Sequence, residues 1–506
     1  MQNINTDTVV PSVTTHPDYL FASNQLRLVR DCIEGEPRIK AKGEIYLPHP
    51  CAVDKKSKEQ QMRYAQYKAG AEFDGFPDLT RRGWLGKMQI SKLTADIPER
   101  LSYLIQNADG DGTPLSAAVE SAASNVMQTK YHVLVADYQG LSDVDTSALS
   151  LADAEALNPR AAIKQYTRES LVDWDYKRIN GVMQLYYVKL MEVASELDPK
   201  TGTRKPIESY LILALDEDGN YYQQKEIDGD LGDKNYMMVR GAPLTWLPVE
   251  IVADEELPVG HLPRGMGLLY QICSLALARY RVSADYKELL RSLPPTVFTR
   301  GWKQGDKELF DDINGRDYMV FGSGGANNLP NDVDVKIESI DDATGAFTNY
   351  FDSNADKVRA MGGIFRDKVE SQKTATEADI DASEQNAMLE MVADNVERAF
   401  ARMVIYCGMF EGVFMPDQIE QQIGEAVTIS LPRDFASPKL SVEEVRLLLD
   451  MIVASVRTRE QVIKALAQGG WDVQEAEQTL AELENELPPL SSTPPQQREV
   501  DTGQTS

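Results

Sequence analysis

Apolar positions along this chain recur with two periods, and the changeovers between them divide it. Between Asp18 and Cys51, Leu26, Val29, the aliphatic stem of Arg30 and Ile33 predict a helix closed by Gly35 and Pro37. The Lys-rich stretch 53–71 predicts a second, carrying Met62, Tyr64, Ala65 and Tyr67. From Leu79 to Asn107 a third helical region carries Trp84, Leu85, Met88, Ile90, Leu93, Ile97 and Leu101, is interrupted by Pro98, and ends in a Gly/Asp-rich turn. An Ala-rich helix over 116–127 and a continuous apolar strand, Tyr131 to Tyr138, follow.

Residues 160–260 switch to strand character. Asn180-Gly181 and Asp218-Gly219-Asn220 break the pattern, so two hairpins are expected. Arg264–Leu293 returns to a helical pattern (Leu268, Leu269, Ile272, Leu275, Ala276, Ala278, Tyr280, Val282, Leu289, Leu290) that Pro294-Pro295 stops. The insertion 294–339 holds strand-like pieces at 296–301, 318–322 and 334–340. Helices Asp342–Met361 and Thr376–Met409 flank the segment 362–373. Leu389, Val392, Val396, Ala399 and Met403 mark one buried stripe over four turns, the clearest period in the chain. A last strand lies in 427–435. Leu440–Leu487 reads as helical, with Val445, Leu448, Ile452 and Val456 on one face and a second helix around Trp471, Ala476, Leu480 and Leu483. The ends, 1–15 and 485–506, have the composition of tails, and no internal repeat is visible. The fold class expected is α+β.

Composition narrows the chemistry. A 42% hydrophobic, 26% charged chain of 506 residues has material for several core-bearing modules, and neither an 18-residue apolar run nor a leader pattern is seen. Cys32, Cys51, Cys273 and Cys407 are scattered, as are His16, His49, His132 and His261, so neither a disulfide framework nor a metal site is expected. The loop at 107–112 resembles a calcium loop until its twelfth position, which is Ala118 instead of a bidentate Glu. Asp216-Glu217-Asp218-Gly219 reads as a hairpin turn. The Gly-rich 321–327 lacks the Lys of a phosphate loop and the first Gly of a nucleophile elbow. Acidic pairs Asp311-Asp312 and Asp341-Asp342 read as solvated carboxylates. No enzyme activity, cofactor or metal is expected. A net charge of −27 argues against a protein that coats nucleic acid, since phosphate binding draws on Lys and Arg. Arg279, Arg281, Lys287 and Arg291 span about three turns of the long helix; they either face phosphate or pair with neighbouring carboxylates.

The order from Arg264 onward, a helix ending in Leu293-Pro294-Pro295, a β-containing insertion, a helix, a Lys-bearing loop, then Thr374-Ala375-Thr376-Glu377-Ala378 opening a long amphipathic helix, resembles tailed-bacteriophage portal proteins. Upstream, the pairing of Gly110-Asp111-Gly112-Thr113-Pro114-Leu115, the Ala-rich helix and the 131–138 strand is similar to one group of them. The resemblance spans about Asp18 to Leu487. It implies a portal-like fold: an N-terminal arm 1–17, a mixed α/β wing 18–262 completed by 410–437, stem helices 263–293 and 340–363, a clip 294–339, a tunnel loop 364–375, a long channel-side helix 376–409, a helical crown 438–487 and a tail 488–506. It implies a ring, expected to be a dodecamer, at one capsid vertex of the virion after assembly in the host cytoplasm. Double-stranded DNA would pass through during packaging and ejection. The partners implied are the terminase large subunit, head–tail adaptor or connector proteins, and major capsid and scaffolding proteins, without membrane association. Arg366, Lys368 and Lys373 then lie where the loop touches DNA, joined as channel candidates by Arg279, Arg281, Lys287 and Arg291. The stripe Leu389, Val392, Val396, Ala399 and Met403 becomes a candidate ring-packing face. The alternatives are another head–tail component and, from a different class, a metal-dependent nuclease or hydrolase.

Overall fold

The structure, a computed structural model, describes residues 15–50, 55–139, 160–179, 181–197, 202–257, 260–292, 296–303, 305–314, 328–329, 334–338, 344–364, 375–416 and 419–431. The chain divides into two units, Met1–Glu370 with Ala387–Pro432, and Ser371–Asn386 with Arg433–Ser506. Of the second, only helical residues 375–386 are described. The helices expected over Leu440–Leu487, the strand piece 318–322 and the loop 321–327 lie outside the described residues.

Helix α1 (Pro17–Glu34) starts at His16, whose Nδ1 accepts the Asp18 amide at 3.2 Å, and stops at Gly35, where a φ of 92° suits a residue without Cβ. Helices α2 (Glu36–Ala41), α3 (Lys58–Gly70) and α4 (Phe76–Lys87) follow. The third predicted helical region, interrupted at Pro98 in the sequence, is also broken earlier. Gln89 adopts a left-handed φ of 44°, a short 3-10 turn (Ile90–Lys92) leads to strand β1 (Thr94–Asp96), which pairs antiparallel with Thr428–Ser430, and helix resumes at the 3-10 turn Glu99–Leu101 and α5 (Tyr103–Gln106). The strand's partner is more than 300 residues away, so no local pattern announces it.

Helix α6 (Leu115–Thr129) and strand β2 (Tyr131–Gln139) fall where the pattern places them. Next come β3 (Arg160–Thr167) and a meander of β4 (Leu171–Ile179), β5 (Val182–Leu197), β6 (Arg204–Leu215) and β7 (Tyr221–Ile227). The short strands β8 (Asp230–Leu231) and β9 (Asn235–Tyr236) extend it, β10 (Met238–Val239) and β11 (Ala242–Pro243) form a separate two-stranded pair, and β12 (Val249–Ala253) returns to β2. Both expected hairpins exist, and they join into one sheet of order β4-β5-β6-β7-β8 with β9 beside β7. At the β6–β7 turn the Asp216 carboxylate accepts the Asp218 and Asn220 amides at 3.0 and 2.7 Å.

The smaller sheet, β12-β2-β3, explains the unbroken apolar run of β2: Tyr131 through Ala136 are all buried. A strand covered on both faces has no polar side to alternate with. On one face lies α6, reached through Gln165, which donates to the Ala118 carbonyl at 3.1 Å.

Helix α7 (Leu269–Ser292) runs among α1, α3, α4 and α6, burying Leu269, Ile272, Cys273, Ala276, Leu277, Tyr280 and Ala284 at three- and four-residue steps. Strands β13 (Thr296–Arg300) and β14 (Asp334–Glu338) form an antiparallel pair. Between them stands α8 (Asp306–Asn314), a helix the reading of the insertion missed although Leu309, Phe310 and Ile313 carry its period. Helix α9 (Thr344–Ala360) packs back on α7: Tyr286 meets Phe347 at 5.4 Å and Phe351 at 5.8 Å, and Asn354 donates to the Leu275 carbonyl at 3.3 Å. Partners rise along one helix as they fall along the other, so the pair is antiparallel. Helix α10 (Ala375–Phe410), α11 (Ile419–Gln422) and β15 (Thr428–Ser430) end the described chain.

Candidate functional site

The four basic residues of α7 are each committed to the chain's own N-terminal half. Arg279 pairs through Nε with Asp74, donates Nη1 to the Phe351 carbonyl at 2.9 Å, and lies over the Phe351 ring at 4.6 Å with its side chain 15% exposed. Arg281 Nε donates to the Tyr46 carbonyl at 2.7 Å, and Lys287 pairs with Glu72 at 2.8 Å. Arg291 reaches the Gln66 carbonyl at 3.4 and 3.5 Å while remaining exposed. The same seam holds Arg63 to Glu288 at 2.9 Å and Tyr67 to Asp285 at 2.6 Å, and Ser283 Oγ bonds both the amide and carbonyl of Glu72. Of the two readings offered by the α7 cations, neighbouring partners are what this geometry supplies. Burial, with the Asp285 bond second, pushes the Tyr67 hydroxyl well above its ordinary value, so it stays a donor.

The stripe of α10 is likewise occupied from within. Leu389, Val392, Val396 and Met403 are at most 1% exposed and Ala399 is 6% exposed. Polar contacts fix that face: Asn395 donates to the Ala253 carbonyl at 3.0 Å, Tyr406 to Glu250 at 2.7 Å, and the Leu431 amide to Glu397 at 2.7 Å. A ring contact between Tyr138 and Phe410 at 6.1 Å continues the seam. The expected ring-packing role for these five residues is therefore corrected. They are buried within the chain, and a second copy cannot reach them without unpacking it.

The exit from α9 is pinned onto α4. The Trp84 indole donates to the Gly362 carbonyl at 3.1 Å, and the Ile364 amide donates to Thr80 Oγ1 at 2.9 Å. Ile364 occupies the space over Gly83, where a Cβ would fall 2.0 Å from its terminal methyl. Trp84 was read from the sequence only as an apolar residue of a helix, and Thr80 and Gly83 were not singled out, because nothing local links them to residues about 280 positions later. The segment they anchor continues into Arg366, Lys368 and Lys373, which lie outside the described residues.

A buried arginine ties the small sheet to the start of α7. Arg168, 3% exposed, donates Nη1 to the carbonyls of Thr129 and Gly265 at 2.8 and 2.7 Å and lies over the Tyr131 ring at 4.6 Å. Beside it Lys130 bridges Asp254 at 2.9 Å and Glu255 at 3.1 Å; burial raises the Asp254 carboxyl above its ordinary value despite the lysine. At Gly267 an added Cβ would fall 2.6 Å from the Met127 carbonyl oxygen. These contacts set where α7 leaves the sheet.

At 107–112, Asp109 accepts the Asp111 and Thr113 amides at 2.8 and 3.0 Å and Asn107 accepts the Gly112 amide, so the loop is a self-bonded turn. Among the described residues no group of three His, Cys, Asp or Glu is placed to hold a metal. None of the described helices is long and apolar enough to cross a membrane. Cys32, Cys273 and Cys407 are buried, and at Cys407 burial pushes the thiol well above its ordinary value.

A family model described as a domain of unknown function (DUF4055) matches residues 269–410, from the start of α7 to the end of α10. No curated protein matches the chain. Among solved structures, the chain is similar to one from the neck of an empty gene transfer agent particle computed with C6 symmetry, at 10% identity and a TM-score of 0.41 over 80% of this chain and 92% of that one. A chain from the virion of the native particle gives 11% identity, TM-score 0.41 and the same coverages. One from the native neck computed with C12 symmetry gives 12% identity and TM-score 0.41 over 79% and 92%.

Proposed function

We propose that this chain is the subunit of a portal ring, a conduit for double-stranded DNA at one vertex of a phage-like capsid, acting by shape and charge rather than by catalysis. The observation that carries the reading is the antiparallel pair α7 and α9, held by Tyr286, Phe347, Phe351 and Asn354, with the β13–β14 pair and α8 inserted between them. The portal reading assigns these elements as stem, clip and stem, with α10 after them in the chain. In this reading the clip is the face offered first to the terminase large subunit and later to head–tail adaptor proteins, while the wing meets major capsid and scaffolding proteins. The charge of −27 suits DNA that must pass without being held, because a duplex carrying one negative charge per roughly 1.7 Å is repelled by an acidic wall.

The test is negative-stain microscopy of the purified chain. A ring of about twelve copies, with a hole wide enough for a duplex groove-lined on the scale of roughly 20 Å, is the expected image; closed rings are what head-to-tail interfaces make when their rotation closes. A chain that stays monomeric or dimeric across salt and concentration would sink the proposal.

A further inference from the structure

Within a chain of net charge −27, one concave surface is cationic. It is a groove of about 560 Å³ between the end of α4, the turn after it and α6, presenting Arg81, Arg82 and Lys92 with Gln89 and Ser91, against one lining carboxylate, Glu120. The cations are oriented rather than neutralised outright. Asp78 takes Arg81 through Nε and Nη2 at 3.0 and 2.6 Å and Arg82 through Nη2 at 2.7 Å. Ser124 accepts Arg81 Nη1 at 3.1 Å, and Gln89, set by its left-handed backbone, accepts Lys92 Nζ at 2.8 Å. An arginine has five N–H donors and a lysine three. Among the described residues Arg81 uses three of its five here, Arg82 one of five and Lys92 one of three, so most donors have no partner among those residues. The open donors of Arg82 beside the Lys92 point charge, with Arg81 held behind them by Asp78 and Ser124, suit the several oxygens of a phosphate group. The same helix, through Thr80, Gly83 and Trp84, seats residues 362–364 at the root of the segment that the portal reading turns toward the channel.

We infer that this groove is a phosphate site that takes the backbone of the duplex DNA passing the ring, an assignment that rests on the portal reading for its partner. It takes the place of the α7 cations as the DNA-facing candidate among the described residues. Contact is by a few oriented cations on an otherwise acidic molecule, so binding is weak, independent of base sequence and steeply salt-dependent.

The test uses the full chain, a short fluorescent duplex and anisotropy measured across a salt series, with the Arg82→Gln/Lys92→Gln double variant beside Lys55→Gln. Arg82 and Lys55 have side chains 72% and 45% exposed, and Lys55 pairs with Glu44 away from the groove. The double variant should lower the slope of log K against log salt by about 2, one per lost phosphate contact, with Lys55→Gln matching the unaltered chain. An unchanged slope in a double variant that still forms rings overturns the groove and leaves the portal reading standing. If the unaltered chain never forms a ring, the portal reading falls and the slope difference still decides the groove. Titration with inorganic phosphate alone separates the sources: saturable phosphate binding lost in the double variant, without any duplex binding, overturns the DNA assignment in favour of a free phosphate.

Discussion

His132 sits between β2 and α6, 1% exposed, with Nε2 against Gln165 at 2.9 Å and Nδ1 without a partner among the described residues. Burial, reinforced by the Arg30 charge, lowers it from 6.5 to about 4. The unfolded chain therefore takes this proton first, so the stability present above about pH 6.5 is lost as pH falls and is gone below about pH 4, roughly 3 kcal/mol in all. A thermal-melting series over that window should fall less steeply in His132→Gln than in the unaltered chain; parallel curves would contradict it. Gly267→Ala tests the junction at the root of α7. The new methyl meets backbone at Met127 and Gln128 rather than a movable side-chain tip, so the variant should lose about 1–3 kcal/mol, read as a lower melting temperature. The histidine was visible in the sequence only as one of four scattered imidazoles. Its solitude and depth follow from the two covers on β2.

At the scale of elements, periodicity served best where one element buries one face. The five-residue α10 stripe and residues 131–136 of β2 became buried surface, the α7 pattern is buried at Leu269, Ile272, Ala276 and Tyr280 while Leu290 is exposed, and the hairpin turns fell at Gly181 and Asp216–Asn220. What such a pattern omits is the identity of the other side. Leu389→Ala should cost about 2–5 kcal/mol of fold stability by denaturant unfolding while rings from the folded fraction keep their size, because the leucine packs inside one chain. Arg279→Gln belongs to the same test. Losing the Asp74 pair and the Phe351 carbonyl bond should cost about 2 kcal/mol while leaving the salt slope of DNA binding unaltered. A changed slope with unchanged melting would return that arginine to the channel. The short helix α8 and the strand β1 were missed for opposite reasons. The first had a period too brief to stand out in a Gly-rich insertion, and the second is a strand only because β15 pairs with it.

For the molecule as a whole, charge governs behaviour. With an isoelectric point near 4.6, lowering the pH toward that value removes the mutual repulsion of copies and should drive their association, visible as a rise in light scattering that reverses on neutralisation. Scattering that stays flat across that point would show that repulsion was not what kept them apart. The sequence by itself determined the α+β class, the helix–insertion–helix–helix order from residue 264 onward, the acidic balance and the lack of catalytic spacing, since all of these are local or additive properties of the chain. Tertiary structure decided which charges are available. Arg279, Arg281, Lys287 and Arg291 sit on one helix and read as a basic face, yet each is met by a residue brought over from the N-terminal half or by α9. Arg81, Arg82 and Lys92 are unremarked along the chain and share a groove only because it folds back after Gln89. A charge is spent or left free according to what the fold sets within a few ångströms of it, and those neighbours are far away in sequence.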